Sequence, residues 1–164
     1  MTFCARNLLS SLLLAGGLCS SSSIGYAQTR ECSVSDFQSC KSCAALAAAV
    51  DYKKPNSGDF YRGAEWNGLF ASYVLNCPIV GAKLIRAGAN PSLGGQSGSM
   101  ILSVSSAWPH KDKKANEAWA ALIFAAGANL KQPLKYEGRK TSAEIAREQS
   151  FKPTYPELFM LFEK

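Results

Sequence analysis

The sequence predicts an all-α fold, a short solenoid of about three helix–turn–helix repeats with a disulfide-stapled capping helix at its N-terminal end. Three observations predict it. The tetrapeptide Ala87-Gly88-Ala89-Asn90 returns 39 residues later as Ala126-Gly127-Ala128-Asn129. Each copy closes an apolar run with helical character, Lys83-Leu84-Ile85-Arg86 and then Leu122-Ile123-Phe124-Ala125. Cys32, Cys40, Cys43 and Cys77 all precede the first of these tetrapeptides. Glycine stops a helix because, without a Cβ, it takes the left-handed cap conformation cheaply. Asn two residues on is a turn former. A unit used twice implies stacking of like upon like.

Residues 1–27 read as a signal peptide. Arg6 is the only charge in a stretch holding Leu8-Leu9-Ser10-Ser11-Leu12-Leu13-Leu14-Ala15, and Gly25-Tyr26-Ala27 offers small residues where a signal peptidase reads. The run is short and broken by serines, whereas a membrane span needs about 20 predominantly apolar residues. A rival reading lipidates Cys19, but Leu18 stands where a small residue is wanted. The expected location is therefore the periplasm, with no transmembrane segment in the mature chain.

The full chain carries a formal charge of +6, which loses Arg6 with the leader. That is mildly basic, a solubility feature and a weak pointer to acidic partners. Cys4 and Cys19 leave with the leader. Four remaining cysteines in an exported chain point to two disulfides. A four-thiolate zinc site is disfavoured, since the cysteines do not form two close C-x-x-C pairs. No metal or cofactor is expected.

Residues 28–59 read as a capping helix and linker. Ser35-Asp36-Phe37-Gln38 has the pattern of a capping box, and about four helical turns should follow through Cys40, Cys43, Leu46, Ala47 and Val50. Cys40 and Cys43 would then share one helical face. Which of them takes Cys77 stays open, with Cys43–Cys77 and Cys32–Cys40 favoured. Lys53-Lys54-Pro55-Asn56-Ser57-Gly58-Asp59 is a loop of turn formers, and Phe60, Tyr61 and Trp66 lead into the first repeat as packing aromatics.

The repeats occupy residues 60–164. Asn76 marks a turn between two helices and Pro78 opens the second, where its missing N–H costs little. Gly94-Gly95-Gln96-Ser97-Gly98 reads as a hairpin loop between repeats, and Gly98-Ser99-Met100-Ile101-Leu102 starts the next helix. A third unit runs through Thr141-Ser142-Ala143-Glu144-Ile145 and ends in the apolar Phe159-Met160-Leu161-Phe162, which should dock on its neighbour.

These corners and intervals resemble the ankyrin repeat, a helix–turn–helix of about 33 residues. Leu69-Phe70-Ala71-Ser72-Tyr73 falls where the family's T-P-L-H-x-A helix ends, and Met100 follows Asn90 by the family's usual interval. No T-P-L-H is intact, and Arg139-Lys140 puts two residues where the family usually has one. A generic helical repeat stays open. The longer period would be an insertion of about six residues within Ala107-Trp108-Pro109-His110-Lys111-Asp112-Lys113-Lys114.

Little in the chain suggests catalysis. His110 is the only histidine, and it falls in the insertion, where solvent exposure is expected. Glu144 and Glu148 read as one solvated helix face. The glycine-rich 94–98 stretch lacks the Lys-Ser/Thr ending of a phosphate loop. Asp112 interrupts the basic cluster, and nucleic acid is not the expected partner of an exported chain. The resemblance implies a protein-binding scaffold, similar to small exported bacterial proteins that neutralise secreted antibacterial effectors, type VI secretion phospholipases among them, by occlusion. An accessory role beside a periplasmic enzyme or envelope complex is the alternative. Per-repeat insertions often line the binding face, so Trp108, His110, Lys111, Lys113 and Lys114 are the expected contact residues. The competing expectation is that Trp108 folds back onto the core.

Overall fold

The structure, a computed structural model, describes residues 32–135 and 138–163; the expected leader and its cleavage site lie outside the described residues. A one-turn 3₁₀ helix at Phe37–Ser39 precedes α1 (Cys43–Ala49), β1 (Gly58–Tyr61), β2 (Ala64–Asn67), α2 (Gly68–Val74) and α3 (Pro78–Arg86). There follow β3 (Gly95–Gln96), α4 (Met100–Ser105), α5 (Lys113–Ala125), α6 (Ser142–Glu148) and α7 (Pro156–Met160). The strands form one antiparallel sheet in the order β1-β2-β3.

This sheet overturns the all-α ankyrin-like solenoid. Phe60, Tyr61 and Trp66 do not lead into a helix; they sit on a β-hairpin in which Tyr61 pairs with Ala64. The turn between them is Arg62-Gly63, with φ of 50° and 79°. A two-residue turn with both φ positive matches the twist of the strands it joins, and it usually carries Asn or Asp in its first place. Arginine there disguises the turn. The glycine-rich stretch expected as a loop supplies β3, whose Gly95 and Gln96 pair with Glu65 and Ala64.

The expected four-turn helix after Ser35 is also corrected. Asp36 precedes the 3₁₀ turn without any side-chain cap, and Cys40 turns extended (φ −59°, ψ 132°). Ser42 is the effective cap, its Oγ accepting from Ala45 N at 3.1 Å, so α1 starts three residues after Cys40 and the two cysteines share no helical face. The bridges are Cys32–Cys40 and Cys43–Cys77, with Cα separations of 4.6 and 5.6 Å. A true capping box stands at α6, where Thr141 Oγ1 accepts from Glu144 N and Glu144 Oε2 accepts from Thr141 N.

The recurring corners are real. Gly88 and Gly127 have φ of 96° and 91°. Ala89 N donates to Leu84 O and Ala128 N to Ile123 O, both at 2.9 Å, the long bond of a Schellman helix end. Asn76, Ala107 and Ser150 close α2, α4 and α6 in the same way, with positive φ and the matching bonds Cys77 N to Ser72 O, Trp108 N to Ser103 O and Phe151 N to Ala146 O. Three of the five ends thus use a residue other than glycine. The corners are also linked in series: Asn56 Oδ1 accepts from Asn90 N at 2.7 Å, and Ser92 Oγ accepts from Asn129 N at 3.1 Å. The backbone N–H of Asn90 and that of Asn129 are thus each satisfied by a side chain from an earlier segment.

The core runs through Leu46, Phe70, Tyr73, Leu84, Met100, Trp119 and Ile123. Gly81 lets α3 approach α5, since a Cβ there would lie 2.6 Å from the indole of Trp119. Leu102, Leu134 and Ile145 form a smaller cluster under α6. The terminal helix docks as expected but is short: Leu158 and Phe162 are buried, whereas Met160 is exposed.

The corner glycines give a direct test. Nothing lies within 4 Å of a Cβ built at Gly88 or Gly127, so any penalty there comes from the left-handed backbone alone. Gly88→Val and Gly127→Val should each destabilise by more than about 1 kcal/mol, because β-branching worsens the fit. Thermal melts unchanged from the parent would contradict the Schellman assignment.

Candidate functional site

The segment expected to be an insertion loop is only half a loop. Lys113 and Lys114 form the first turn of α5, and Asp112 is its N-cap, with Oδ1 accepting from Lys114 N at 3.0 Å. Lys113 Nζ pairs with Glu157 at 2.6 Å and lies 5.8 Å from the centre of the Tyr155 ring. Lys111 contributes its backbone oxygen, which accepts from the Tyr155 hydroxyl at 2.9 Å. The exposed lysines expected to steer a partner are thus reduced to the side chains of Lys111 and Lys114.

His110 is half-buried, where full solvent exposure was expected. Its ring stands edge-on to Tyr73, 5.0 Å between centres, and Nε2 donates to Tyr73 O near the C-terminal end of α2. Asn116 secures the same segment: its amide donates to His110 O at 2.7 Å and Asp112 O at 2.8 Å, while its Oδ1 accepts from the Tyr73 hydroxyl. Burial pushes the Tyr73 phenol up, so the hydroxyl stays a donor at every physiological pH. Sequence spacing could not reveal this, because Tyr73 and Asn116 lie 43 residues apart.

Trp108 is half packed and half open. One ring face stacks on buried Phe70, 5.6 Å between centres and 19° from parallel, yet 44 % of the residue is exposed. Its open side lines a cleft of about 600 Å³ with Arg62, Ala64, Gln96, Ser97 and Ser106.

Behind that cleft, on the other side of β2, lies Glu65. It is fully buried, and neither carboxyl oxygen has a hydrogen-bond partner of normal geometry. Burial pushes its carboxyl up to about 7; the Lys135 charge, the Asn67 amide and the Gly94 backbone favour the ionised form but do not offset the loss of water. Nothing in the sequence marks Glu65 as buried, since strand alternation alone leaves open which face is covered.

A second surface was not anticipated. Asn76, Pro78, Ile79, Ala82, Ala118 and Leu122 line an apolar groove of about 380 Å³ between α3 and α5, with Trp119 also in its lining. The indole N–H of Trp119 donates to Asn76 Oδ1 at 3.1 Å, so the lining is polar-satisfied. Ile79 is 73 % exposed and also borders a smaller apolar hollow beside the Cys43–Cys77 bridge. The sequence hint was available: Ile79, Lys83 and Arg86 recur at helical spacing on an outward face.

Among the described residues, no group of three or more His, Cys, Asp or Glu could hold a metal ion. Glu144 is held below the usual carboxylate range by its bonds to Thr141, and Glu148 pairs with Lys140 at 2.6 Å. Glu65 is sealed from solvent.

Glu65 makes stability pH-dependent. Its folded-state pKa lies above the unfolded value, so the folded chain binds the extra proton between 4.5 and about 7. Stability from this group is therefore full below that window, falls as pH rises through it, and levels off above. Glu65→Gln should abolish that slope and melt higher than the parent above the window. Melting curves for both chains across the range check this; parallel curves would contradict it.

No protein-family model, no curated protein and no solved structure matches the chain, so the reading of its surfaces rests on its own geometry.

Proposed function

We propose that this chain is an exported, non-catalytic protein-binding module that seats an apolar, acid-flanked segment of another extracytoplasmic protein in the α3–α5 groove. The observation that carries this reading is the exposure of Ile79 between two apolar hollows. An apolar concavity of this size, edged by an exposed large aliphatic side chain, has the usual character of a binding site. Lys83 and Arg86 follow Ile79 along α3, and Lys114 precedes Ala118 along α5, with no salt bridge to any of the three among the described residues. Cations beside an apolar floor select an amphipathic helix with acidic flanks. A second copy of the chain fits poorly, since a two-fold contact would bring these cations together.

Two disulfides fit an oxidising, extracytoplasmic compartment, and no described helix is long and apolar enough to cross a membrane. The periplasm, reached by cleavage after Ala27, is the proposed location. The proposed use there is immunity by occlusion of a secreted effector; support of an envelope enzyme is the alternative. A rigid, doubly bridged body suits occlusion, because little binding energy is lost in ordering it.

Two measurements test this. Intact mass of the protein purified from periplasm should correspond to a chain starting at Gln28 with no free thiols; an uncleaved chain or four free thiols would sink the export reading. A synthetic amphipathic helix with glutamate flanks should bind more tightly than its lysine-flanked twin. Ile79→Glu should weaken the glutamate-flanked peptide by about tenfold or more with an unchanged melt, as expected for an exposed anchor. Equal binding of both peptides, or full binding by Ile79→Glu, would refute the groove.

A further inference from the structure

The cleft beside Trp108 has a composition unlike that of the groove. Its aromatic wall is the open side of an indole whose other face is fixed on Phe70. Its polar wall is biased toward donors. Gln96 Oε1 is already engaged, accepting from Ser106 Oγ at 3.2 Å, which leaves the Gln96 amide N–H groups for a ligand. Ser97 Oγ accepts from Gln149 Nε2 at 3.4 Å, which leaves the hydroxyl proton. Arg62 has no carboxylate partner among the described residues; its guanidinium lies 5.1 Å from the centre of the Tyr61 ring. None of the lining residues is acidic.

The backbone around this cleft is also set against residue preference. Of the six non-glycine residues with positive φ among the described residues, Arg62 (50°) and Ser97 (50°) line the cleft, and Ala107 (58°) joins its two lining neighbours Ser106 and Trp108. Ala107, like Asn76 and Ser150, closes a helix, but Arg62 occupies a hairpin position where Asn or Asp serves the backbone better. Such residues concentrate at binding and active sites, where the side chain has a task that outweighs the local cost. Ser97 N donates to Gly63 O at 2.9 Å, so the two positive-φ turns brace each other and hold the cleft wall in place.

We propose that this cleft is a binding site for a carboxylate carried on a ring, specifically an acidic sugar. The pyranose face would lie on Trp108 and the carboxylate would accept from the Arg62 guanidinium. The Gln96 amide and the Ser97 hydroxyl would donate to ring or hydroxyl oxygens. A flat aromatic wall with a few convergent polar groups is the usual composition of a small-ligand site, and a guanidinium–carboxylate pair supplies its orientation. The site is separate from the α3–α5 groove and shares no lining residue with it.

The test is titration of the full mature protein with glucuronate, glucose and benzoate, followed by two-dimensional NMR at the indole N–H groups of Trp66, Trp108 and Trp119. A shallow site of this kind calls for concentrations up to about 10 mM. Glucuronate should give a saturable shift at Trp108 that glucose does not, and Arg62→Gln should weaken it by about tenfold or more. Because Arg62 is exposed, that variant should melt like the parent. Benzoate binding without glucuronate binding would overturn the sugar assignment. No shift in any arm, equal response to glucose, or full affinity in Arg62→Gln would overturn the site altogether. Groove-peptide binding is read on Ile79 variants, so the two outcomes are independent.

Discussion

A buried hydrogen-bonded cluster centred on Tyr73 and Asn116, whose side-chain polar groups find their partners inside the protein, holds the middle of the fold together. The Tyr73 hydroxyl donates to Asn116 Oδ1, the Asn116 amide donates to two backbone oxygens of the 108–112 strap, and His110 returns to Tyr73 O. Tyr73 and Asn116 are both completely buried. Removing one member would strand the others without water, at about 1–3 kcal/mol for each unsatisfied group. The cluster ties α2, the end of α4 and the start of α5 into one rigid unit. It also fixes both candidate surfaces, because Trp108 leads into the strap on one side and Trp119, edge-on to Tyr73, contributes to the groove lining on the other.

The disulfides complement this by restraining what the polar cluster does not reach. In the chain-entropy picture, the Cys43–Cys77 bridge, spanning 34 residues, is worth about 4 kcal/mol and the Cys32–Cys40 bridge, spanning 8, about 2.5 kcal/mol. The longer bridge pins α1 to the start of α3, beside Ile79 and the groove. The shorter one closes a segment whose only regular structure is a single 3₁₀ turn. Such staples suit a small domain whose helices, apart from α5, are too short to be stable alone.

The two candidate surfaces differ in chemistry because their walls come from different elements. Two helices present side chains at 3.6-residue spacing, and with alanines at 82 and 118 they leave an apolar trough. The hairpin turn and the 94–98 turn present backbone-strained polar residues beside one tryptophan. Glu65 lies behind the second surface, where its neutral form fits the burial and its charged form does not.

The features legible along the chain are the local ones. The corners at Gly88 and Gly127, the helix start at Pro78 and the disulfide-forming cysteine set all follow from what one residue does to its own backbone or from the redox chemistry of cysteine. Local patterns misled where two competed: Ser35 and Ser42 could both cap a helix, and only the latter does. The sheet was illegible because Arg62 hides a turn that asparagine would have announced, and because β3 is two residues long and earns its strand status only by pairing with β2. Tertiary structure alone decided the rest. Trp108 is half packed and half open, His110 is drawn inward, Lys113 is neutralised by Glu157, and Glu65 is shut away from water. Each of these depends on a partner or cover brought from a distant segment, and the energy of such contacts is a property of proximity in space, which spacing along the chain does not encode.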